Sequence, residues 1–550
     1  MHQGSLDFSP PVASLTMDIH EAATFLGVST ATIRNWIKAH YLEAVGTGQV
    51  SYSSVKAFQK QVLGKDKLNQ RANKSLKDSH DHEKVSHHIL QALAEEEGAK
   101  KGEALADTYE QALSDAYRNK EGVYYTPPSV VEHLFALEGD EQVKQATFCD
   151  PCCGSGNFIM RALALGFKPE NIYGYDVDPV AVEITKARIY AVTGYRTSNI
   201  QVADFLTLAT GTTVPQFDYI FTNPPWGKKI PKKIRVQIGE SLKAGTSLDT
   251  SALFLFASLH CLKEEGRLGL LLPESFFNIA VFEQAREKLL TLSIARMIDY
   301  GKVFKGLLTK AQGVVLKNQA PSPEKKIRCE VQEHCYDRTP LSFACNPKSI
   351  LNFYCDDRSA ETLQYLMSLP HMTLKGRASW GLGIVTGNNK KFVTSHWQPG
   401  YLPVYKGSDI QAEGLKEASC FIPNDMGLYQ QVAPLDLYQA KEKLIYKFIS
   451  SRLCFFYDDQ QRFILNSANL LIPDADFPVP MKLLGELLSS DLMNWIFTQV
   501  FNTHKVLRGD LEVLPIHYQC LEEMSHFDES LYLERLNIQR CEDGTYRIKA

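Results

Sequence analysis

Asn223-Pro224-Pro225-Trp226 is the segment of this chain whose residue types best suit chemistry on a planar amine. An exocyclic amine is a poor nucleophile because its lone pair is delocalised into the ring. Two acceptors for its hydrogens, the Asn223 side-chain oxygen and the Pro224 carbonyl, would localise that lone pair and favour direct attack on a methylsulfonium. The adjoining prolines hold the turn rigid. Trp226 offers a face for stacking an extruded base, worth ~1–3 kcal/mol by alanine substitution. Read alone, the same four residues are a proline-rich turn that ends a strand, and the pieces upstream decide between the two readings.

Three of those pieces describe a pocket for an adenosine. Residues 150–158 read DPCCGSGNF, where Gly154 and Gly156 can let the backbone pass close to a cofactor and Asp150 can accept from an ammonium group. Asp176 ends the next apolar run, where a carboxylate can accept both ribose hydroxyls. Asp204 can accept from an exocyclic adenine amine, and Phe205 can pack on its ring. No phosphate cradle accompanies them, which points away from a nucleoside triphosphate. Downstream of Trp226 the basic residues become local, with Lys228, Lys229, Lys232, Lys233 and Arg235 in one short segment that suits a phosphate backbone.

The elements that would position these residues alternate between strand and helix. From about Thr147, short apolar runs end at Asp150, near Asp176, near Asp204 and at Asn223, separated by helical stretches such as PVAVEITKARIYAVTG. This alternation predicts a parallel sheet covered on both faces, with ligands beyond the carboxyl ends of its strands. ARMIDYG and AQGVVLKN are expected to form a closing hairpin. After about Pro321 the alternation is lost, so a separate domain is expected there.

Ahead of the sheet, Ile19, Ala22, Ala23 and Leu26 recur at helical spacing. Gly27 ends that helix, and Ser29 can cap a second one carrying Ile33, Trp36 and Ile37. The pattern reads as helix-turn-helix with a wing near Gly46 to Tyr52, similar to excisionase-type and mercury-regulator-type DNA-binding modules. Arg34, Asn35 and Lys38, with Thr30 and Thr32, then lie on or near the recognition helix. A small helical module for partner docking fits the same pattern. From Gly64 to about Glu97 a polar stretch reads as linker, and its His80, His82, His87 and His88 read as solvated rather than as metal ligands.

Composition places few limits on this picture. The chain has 550 residues, 44% hydrophobic and 22% charged, so more than one folded domain is expected. The 59 lysines and arginines against 63 acidic residues argue weakly against nucleic acid unless the basic residues are clustered, as they are after Trp226. Twelve scattered cysteines form no disulfide or zinc pattern, and no apolar run is long enough for a bilayer. The expectations are a cytoplasmic location in a bacterium or archaeon, with no metal and no membrane.

Taken in order, Tyr124-Tyr125-Thr126-Pro127-Pro128, DPCCGSGNF, GYDVDP, ADF and NPPW resemble the gamma class of N6-adenine DNA methyltransferases of restriction-modification systems. The resemblance covers roughly residues 120 to 515. It implies an α/β, Rossmann-like methyltransferase domain at 119–320 and a mixed α+β target-recognition domain at 321–550; the residue patterns ahead of them give the module at 17–63 and a linker with a connecting helix at 64–118. It implies S-adenosylmethionine as cofactor, with Thr126 and Asp150 at its methionine end, Asp176 at the ribose and Asp204 and Phe205 at the adenine. Asn223, Pro224 and Trp226 would meet a flipped adenine of duplex DNA. Cys152 stands in the cofactor loop where the family often has alanine, and Trp226 where tyrosine or phenylalanine is more frequent. GKVF resembles the segment whose aromatic residue, here Phe304, holds the flipped base, although a core role suits Phe304 equally. Phrases near the C-terminus make Lys390, Lys391, Lys406, Lys505 and Arg508 candidate DNA contacts, and a separate restriction endonuclease is a candidate partner. Rival readings are an N4-cytosine enzyme, which the tryptophan slightly favours, a glutamine methyltransferase, and a DNA-binding regulator with a vestigial methyltransferase fold.

Overall fold

The computed structural model describes residues 16–38, 41–46, 48–61, 86, 88–93, 102–112, 124–136, 143–211, 213–304, 307, 309–411 and 414–549. Of the four linker histidines, His80, His82 and His87 lie outside these, and His88 is exposed on a helical stretch. The chain divides into two compact units. One comprises Met1–Tyr125, Cys153–Met160 and Asp176–Val202, and the other Thr126–Cys152, Arg161–Tyr175 and Ala203–Ala550.

The first unit begins with strand β1 (Thr16–Asp18), a helix at Ile19–Leu26 and a second helix at Thr30–Lys38. β2 (Ala44–Gly46), β3 (Gln49–Ser51) and a helix at Tyr52–Gln61 follow. Asp18 caps the first helix through a capping box with Glu21, Gly27 ends it in a left-handed conformation, and Ser29 Oγ accepts from Thr32 N at 3.1 Å. β1 and β2 pair antiparallel with β3. Ala22, Leu26, Ile33, Trp36, Val50, Val55 and Phe58 form a small apolar core of its own. Elsewhere in this unit, the helix Gly102–Ala112 packs Ala106 and Tyr109 on Val180, Ala181 and Ile184 of the helix Pro179–Thr193. β6 (Ile200–Val202) also belongs here.

The second unit holds the sheet that positions the Asn223-Pro224-Pro225-Trp226 turn. Its strands are β4 (Phe148–Asp150), β5 (Ile172–Asp176), β7 (Phe217–Thr222), β8 (Leu262–Pro273), β9 (Ser293–Gly301), β10 (Ala311–Lys317), β11 (Ile327–Val331) and β12 (His334–Arg338), and they run in the order β12-β11-β9-β10-β8-β7-β4-β5. β5, β4, β7 and β8 are mutually parallel, with Phe148 opposite both Ile172 and Tyr219. β10 inserts antiparallel between β8 and β9, so the hairpin expected from ARMIDYG and AQGVVLKN forms. Leu253, Leu255, Leu268, Leu270 and Leu272 are fully buried in this core.

One boundary differs from expectation. β11 adds to the same sheet parallel to β9, and β12 pairs with it, so the sheet continues to Arg338 rather than ending near residue 320. Arg296 of β9 holds Glu330 of β11 at 2.9 Å with both side chains largely buried, which anchors the added strand. Beyond it, Ala378–Leu382, Ala468–Pro473, Lys443–Lys447 and Phe455–Asp458 form an antiparallel four-stranded sheet, with helices at Met481–Leu488 and Asp491–Phe501. This region is tied to the parallel sheet's periphery by Asn278 Nδ2 donating to Phe501 O, Asn352 Nδ2 donating to Gln499 O, and a Lys348–Asp510 ion pair of 2.9 Å. Among the described residues no helix is long and apolar enough to cross a membrane.

Candidate active site

β4 and β7 are adjacent and parallel, so Asp150 at the end of one and Asn223 just after the other leave the same edge of the sheet. Asp150 is buried, and its carboxylate accepts from Cys152 N at 3.1 Å, which curls the loop back toward the strand. Cys152 itself is half-buried against the core, as a packing residue. Burial pushes the Cys149 thiol well above its ordinary value and that of Cys261 to about 12, so both act as neutral apolar filler.

Asn223 sits directly after β7, and its Nδ2 donates to Thr126 Oγ1 at 3.1 Å. Thr126 is 5% exposed and precedes Pro127, whose carbonyl accepts from Val130 N and Val131 N to start the helix Pro128–Leu134. Pro224 is buried and Pro225 half-buried, so the turn is walled as well as stiff. Trp226 Nε1 donates to Leu271 O of β8 at 3.2 Å, leaving the indole fixed in angle. Its ring meets Phe304 edge-on, 5.3 Å between centroids at 81°. Phe304 is 6% exposed, so it is both a packing residue and the neighbour of the motif's aromatic face.

Downstream, Pro231 opens the helix Lys232–Ser241, placing Lys232 and Lys233 in its first turn where both are exposed. Lys229 is exposed and Lys228 half-buried, with its carbonyl accepting from Thr250 Oγ1 at 2.6 Å. Arg235 is half-buried. Asp204 is exposed and accepts from Leu206 N at 3.0 Å, capping the short helix Phe205–Ala209. Phe205 turns inward: it is 1% exposed and packs with Tyr175 and Phe254 in the core. The open aromatic face expected of it is therefore occupied by protein.

The rest of the loop and Asp176 belong to the first unit. Asp176 accepts from Gly154 N and from Asp178 N, both at 2.9 Å, so each carboxylate oxygen already holds a backbone amide. Gly154 and Gly156 both have positive φ, +50° and +94°. A Cβ on Gly154 would stand 2.8 Å from the Tyr125 ring, and one on Gly156 2.9 Å from Thr185 Cγ2 and Oγ1. These glycines are thus required by backbone conformation and by packing on protein, a reason the sequence pattern alone does not give. Residues outside every motif brace the loop: Thr185 Oγ1 donates to Gly154 O at 2.8 Å, and Arg188 donates to Ser155 O and Asn157 Oδ1 while pairing with Glu103 at 2.8 Å. Their signal, a polar residue on the inner face of an apolar helix, is visible only once the helix is placed.

In the N-terminal module Arg34 is exposed, while Asn35 and Lys38 lie on the second helix with side chains outside the described residues. In the C-terminal region Lys390, Lys391, Lys505 and Arg508 are exposed and Lys406 half-buried. Arg508 pairs with Glu512 at 2.7 Å and lies over Trp380. Among the described residues no group of three or more His, Cys, Asp or Glu could hold a metal ion.

Comparison with known proteins accords with this geometry. Residues 100–328 match the family model "N-6 DNA Methylase", and residues 402–516 match "TaqI-like C-terminal specificity domain". The Type II methyltransferase M.VspI of Vibrio sp. (strain 343) is 46% identical over 417 residues, 75% of this chain and 100% of that protein. The modification methylase CviBIII of Paramecium bursaria Chlorella virus NC1A is 26% identical over 219 residues, 38% of this chain and 53% of that one. Among solved structures, the Type IIL restriction-modification enzyme MmeI in complex with DNA shares the fold at a TM-score of 0.51 and 14% identity, covering 75% of this chain and 70% of its own.

Proposed function

This chain belongs to the N-6 DNA methylases, DNA methyltransferases of restriction-modification type whose methyl donor is S-adenosylmethionine, and from that premise we propose that it methylates N6 of an adenine swung out of duplex DNA. The observation that carries the proposal is the Asn223-Pro224-Pro225-Trp226 turn: it follows a parallel strand directly, its amide is held by Thr126, and its indole is fixed by Leu271 and Phe304.

The donor set fits the methyl donor. Three carboxylates, Asp150, Asp176 and Asp204, stand at or just after strand ends, which suits a ligand that carries sulfonium and ammonium charge. When bound, S-adenosylmethionine supplies an electrophilic methyl carbon. Thr126, Asp150, Cys152, Gly154, Gly156, Asp176, Asp204 and Phe205 are assigned to its site. Asp150 takes the ammonium end and Asp176 the ribose, while Phe205, packed between Tyr175 and Phe254, is a core residue rather than an exposed stacking face.

Asn223 Oδ1 and the Pro224 carbonyl accept the two hydrogens of the adenine amine, concentrating its lone pair on nitrogen. Trp226 stacks on the extruded base, and Phe304 braces the indole edge-on, which offsets the few kcal/mol of base extrusion. Lys228, Lys229, Lys232 and Lys233 follow phosphates. Lys505 and Arg508, with Lys390, Lys391 and Lys406, contact DNA from the C-terminal region. The N-terminal module, with Arg34, Asn35 and Lys38 on its second helix, adds a further DNA contact. A cognate endonuclease is the expected partner, and the cytoplasm the expected compartment.

Single-molecule sequencing of DNA from cells expressing the chain tests the proposal. Methyl-adenine at a recurrent site supports it, whereas methyl-cytosine or unmodified DNA overturns it.

A further inference from the structure

We propose that Thr126 is a positioning residue for Asn223, its hydroxyl holding the amide so that the oxygen end faces the target amine. This rests on the role given to Asn223 above. A carboxamide has nearly the same shape at its two ends and opposite chemistry, since oxygen only accepts and nitrogen only donates. An amide turned nitrogen-first would set its own hydrogens against those of the adenine amine and could not draw the lone pair onto N6. The torsion that decides between these states is soft, with a broad two-fold profile. Something outside the side chain must therefore hold it.

Thr126 is placed to do so. Asn223 Nδ2 donates to Thr126 Oγ1 over 3.1 Å, so the nitrogen end is engaged and the oxygen end is the one turned away from Thr126. The acceptor is itself immobile. Thr126 is 5% exposed, its β-branched side chain has a stiff first torsion, and Pro127 restricts its backbone. Pro127 O in turn is fixed by accepting from Val130 N at 3.0 Å and Val131 N at 3.1 Å. The chain of restraint runs from a helix start through a proline to one hydroxyl and then to the amide. Thr126-Pro127-Pro128 and Asn223-Pro224-Pro225-Trp226, nearly a hundred residues apart, thereby act together.

The test uses the full-length enzyme with adenine-containing duplex DNA at saturating S-adenosylmethionine, and reads the single-turnover methylation rate together with cofactor Kd. Thr126→Val keeps the shape and loses the acceptor; the rate is expected to fall about tenfold, the size of one net hydrogen bond lost in the reacting state. Thr126→Ser keeps the hydroxyl and is expected to stay within about threefold of wild type on the same scale. Thr126→Ala serves beside the valine variant should that one melt early, and is expected to match its rate loss. A full rate for the valine and alanine variants at saturating cofactor, with all change confined to cofactor Kd, overturns the proposal and leaves Thr126 as a cofactor contact only. A wild-type enzyme that methylates no adenine overturns the functional reading and this one with it, so the two failures are distinguishable.

Discussion

Replacing Gly156 by alanine should damage the loop that opens the methyltransferase fold, by an amount the structure allows one to work out. Gly156 has φ +94°, and an alanine Cβ there would lie 2.9 Å from both Thr185 Cγ2 and Thr185 Oγ1 and 3.3 Å from Thr185 Cβ. The left-handed backbone alone costs an L residue about 1–2 kcal/mol. The clash adds about 1–3 kcal/mol, as overpacking usually does. Thr185 cannot step aside without loss: it is fully buried on the helix Pro179–Thr193, and its hydroxyl donates to Gly154 O at 2.8 Å. Rotating it away exchanges the clash for about 1 kcal/mol of hydrogen bond. The sum is about 2–5 kcal/mol. Gly194→Ala provides the control, because its φ is +69° and nothing lies within 4 Å, leaving only the conformational cost. Urea denaturation of both variants, with calorimetric titration of S-adenosylmethionine, separates the two contributions. Gly156→Ala should be the more destabilised and should bind cofactor about tenfold or more weakly, since about 1.4 kcal/mol of the strain suffices for that factor. Adding Thr185→Ala should recover the steric part. If Gly156→Ala costs no more than Gly194→Ala, or the double variant shows no coupling, the packing argument is refuted.

Other consequences follow from charges that the fold has buried or gathered. Lys443 and Asp458 are both fully buried and hydrogen-bonded, with Arg462 also on Asp458 at 2.6 Å, so Asp458→Asn should cost about 3–5 kcal/mol in urea denaturation by leaving a buried lysine with its charge unbalanced. Burial lowers the His517 pKa to about 4, against an ordinary value near 6.5, despite a hydrogen bond to Leu366 O. The folded state therefore binds fewer protons than the unfolded one between those values, so stability is full above about pH 6.5 and falls by up to about 3 kcal/mol as pH drops to 4. His517→Gln should flatten that part of the stability profile. Changing Lys228, Lys229, Lys232 and Lys233 together to glutamine should reduce the slope of log affinity against log salt by about 0.9 for each phosphate no longer neutralised, measured by fluorescence anisotropy.

The sequence carries the site's order better than its surroundings. Asp150, Asp176 and Asn223 each end or follow a strand because an apolar run must stop where polar groups leave the sheet, and that is visible residue by residue. The N-terminal helices were legible for the same local reason, with Gly27 and Ser29 supplying stop and start. Whatever depends on a distant partner was not. Nothing in IRCEV states that β11 would add beside β9, since alternation fixes a strand's faces and leaves its neighbour open. Phe205 reads as an aromatic beside an acidic residue, and only the placement of Tyr175 and Phe254 shows its ring turned into the core. Lys443 in KLIYK has the look of an exposed lysine at a strand start until Asp458 is brought to it across the sheet.

The role of Asn223 is tested most directly by replacing it with alanine and measuring methyl transfer from labelled S-adenosylmethionine to adenine-containing DNA, alongside cofactor and DNA binding. Transfer is expected to fall by at least about a hundredfold, as when a single donor or acceptor to the reacting group is removed, while both binding constants stay near wild type. Transfer at close to the wild-type rate would contradict the proposed chemistry.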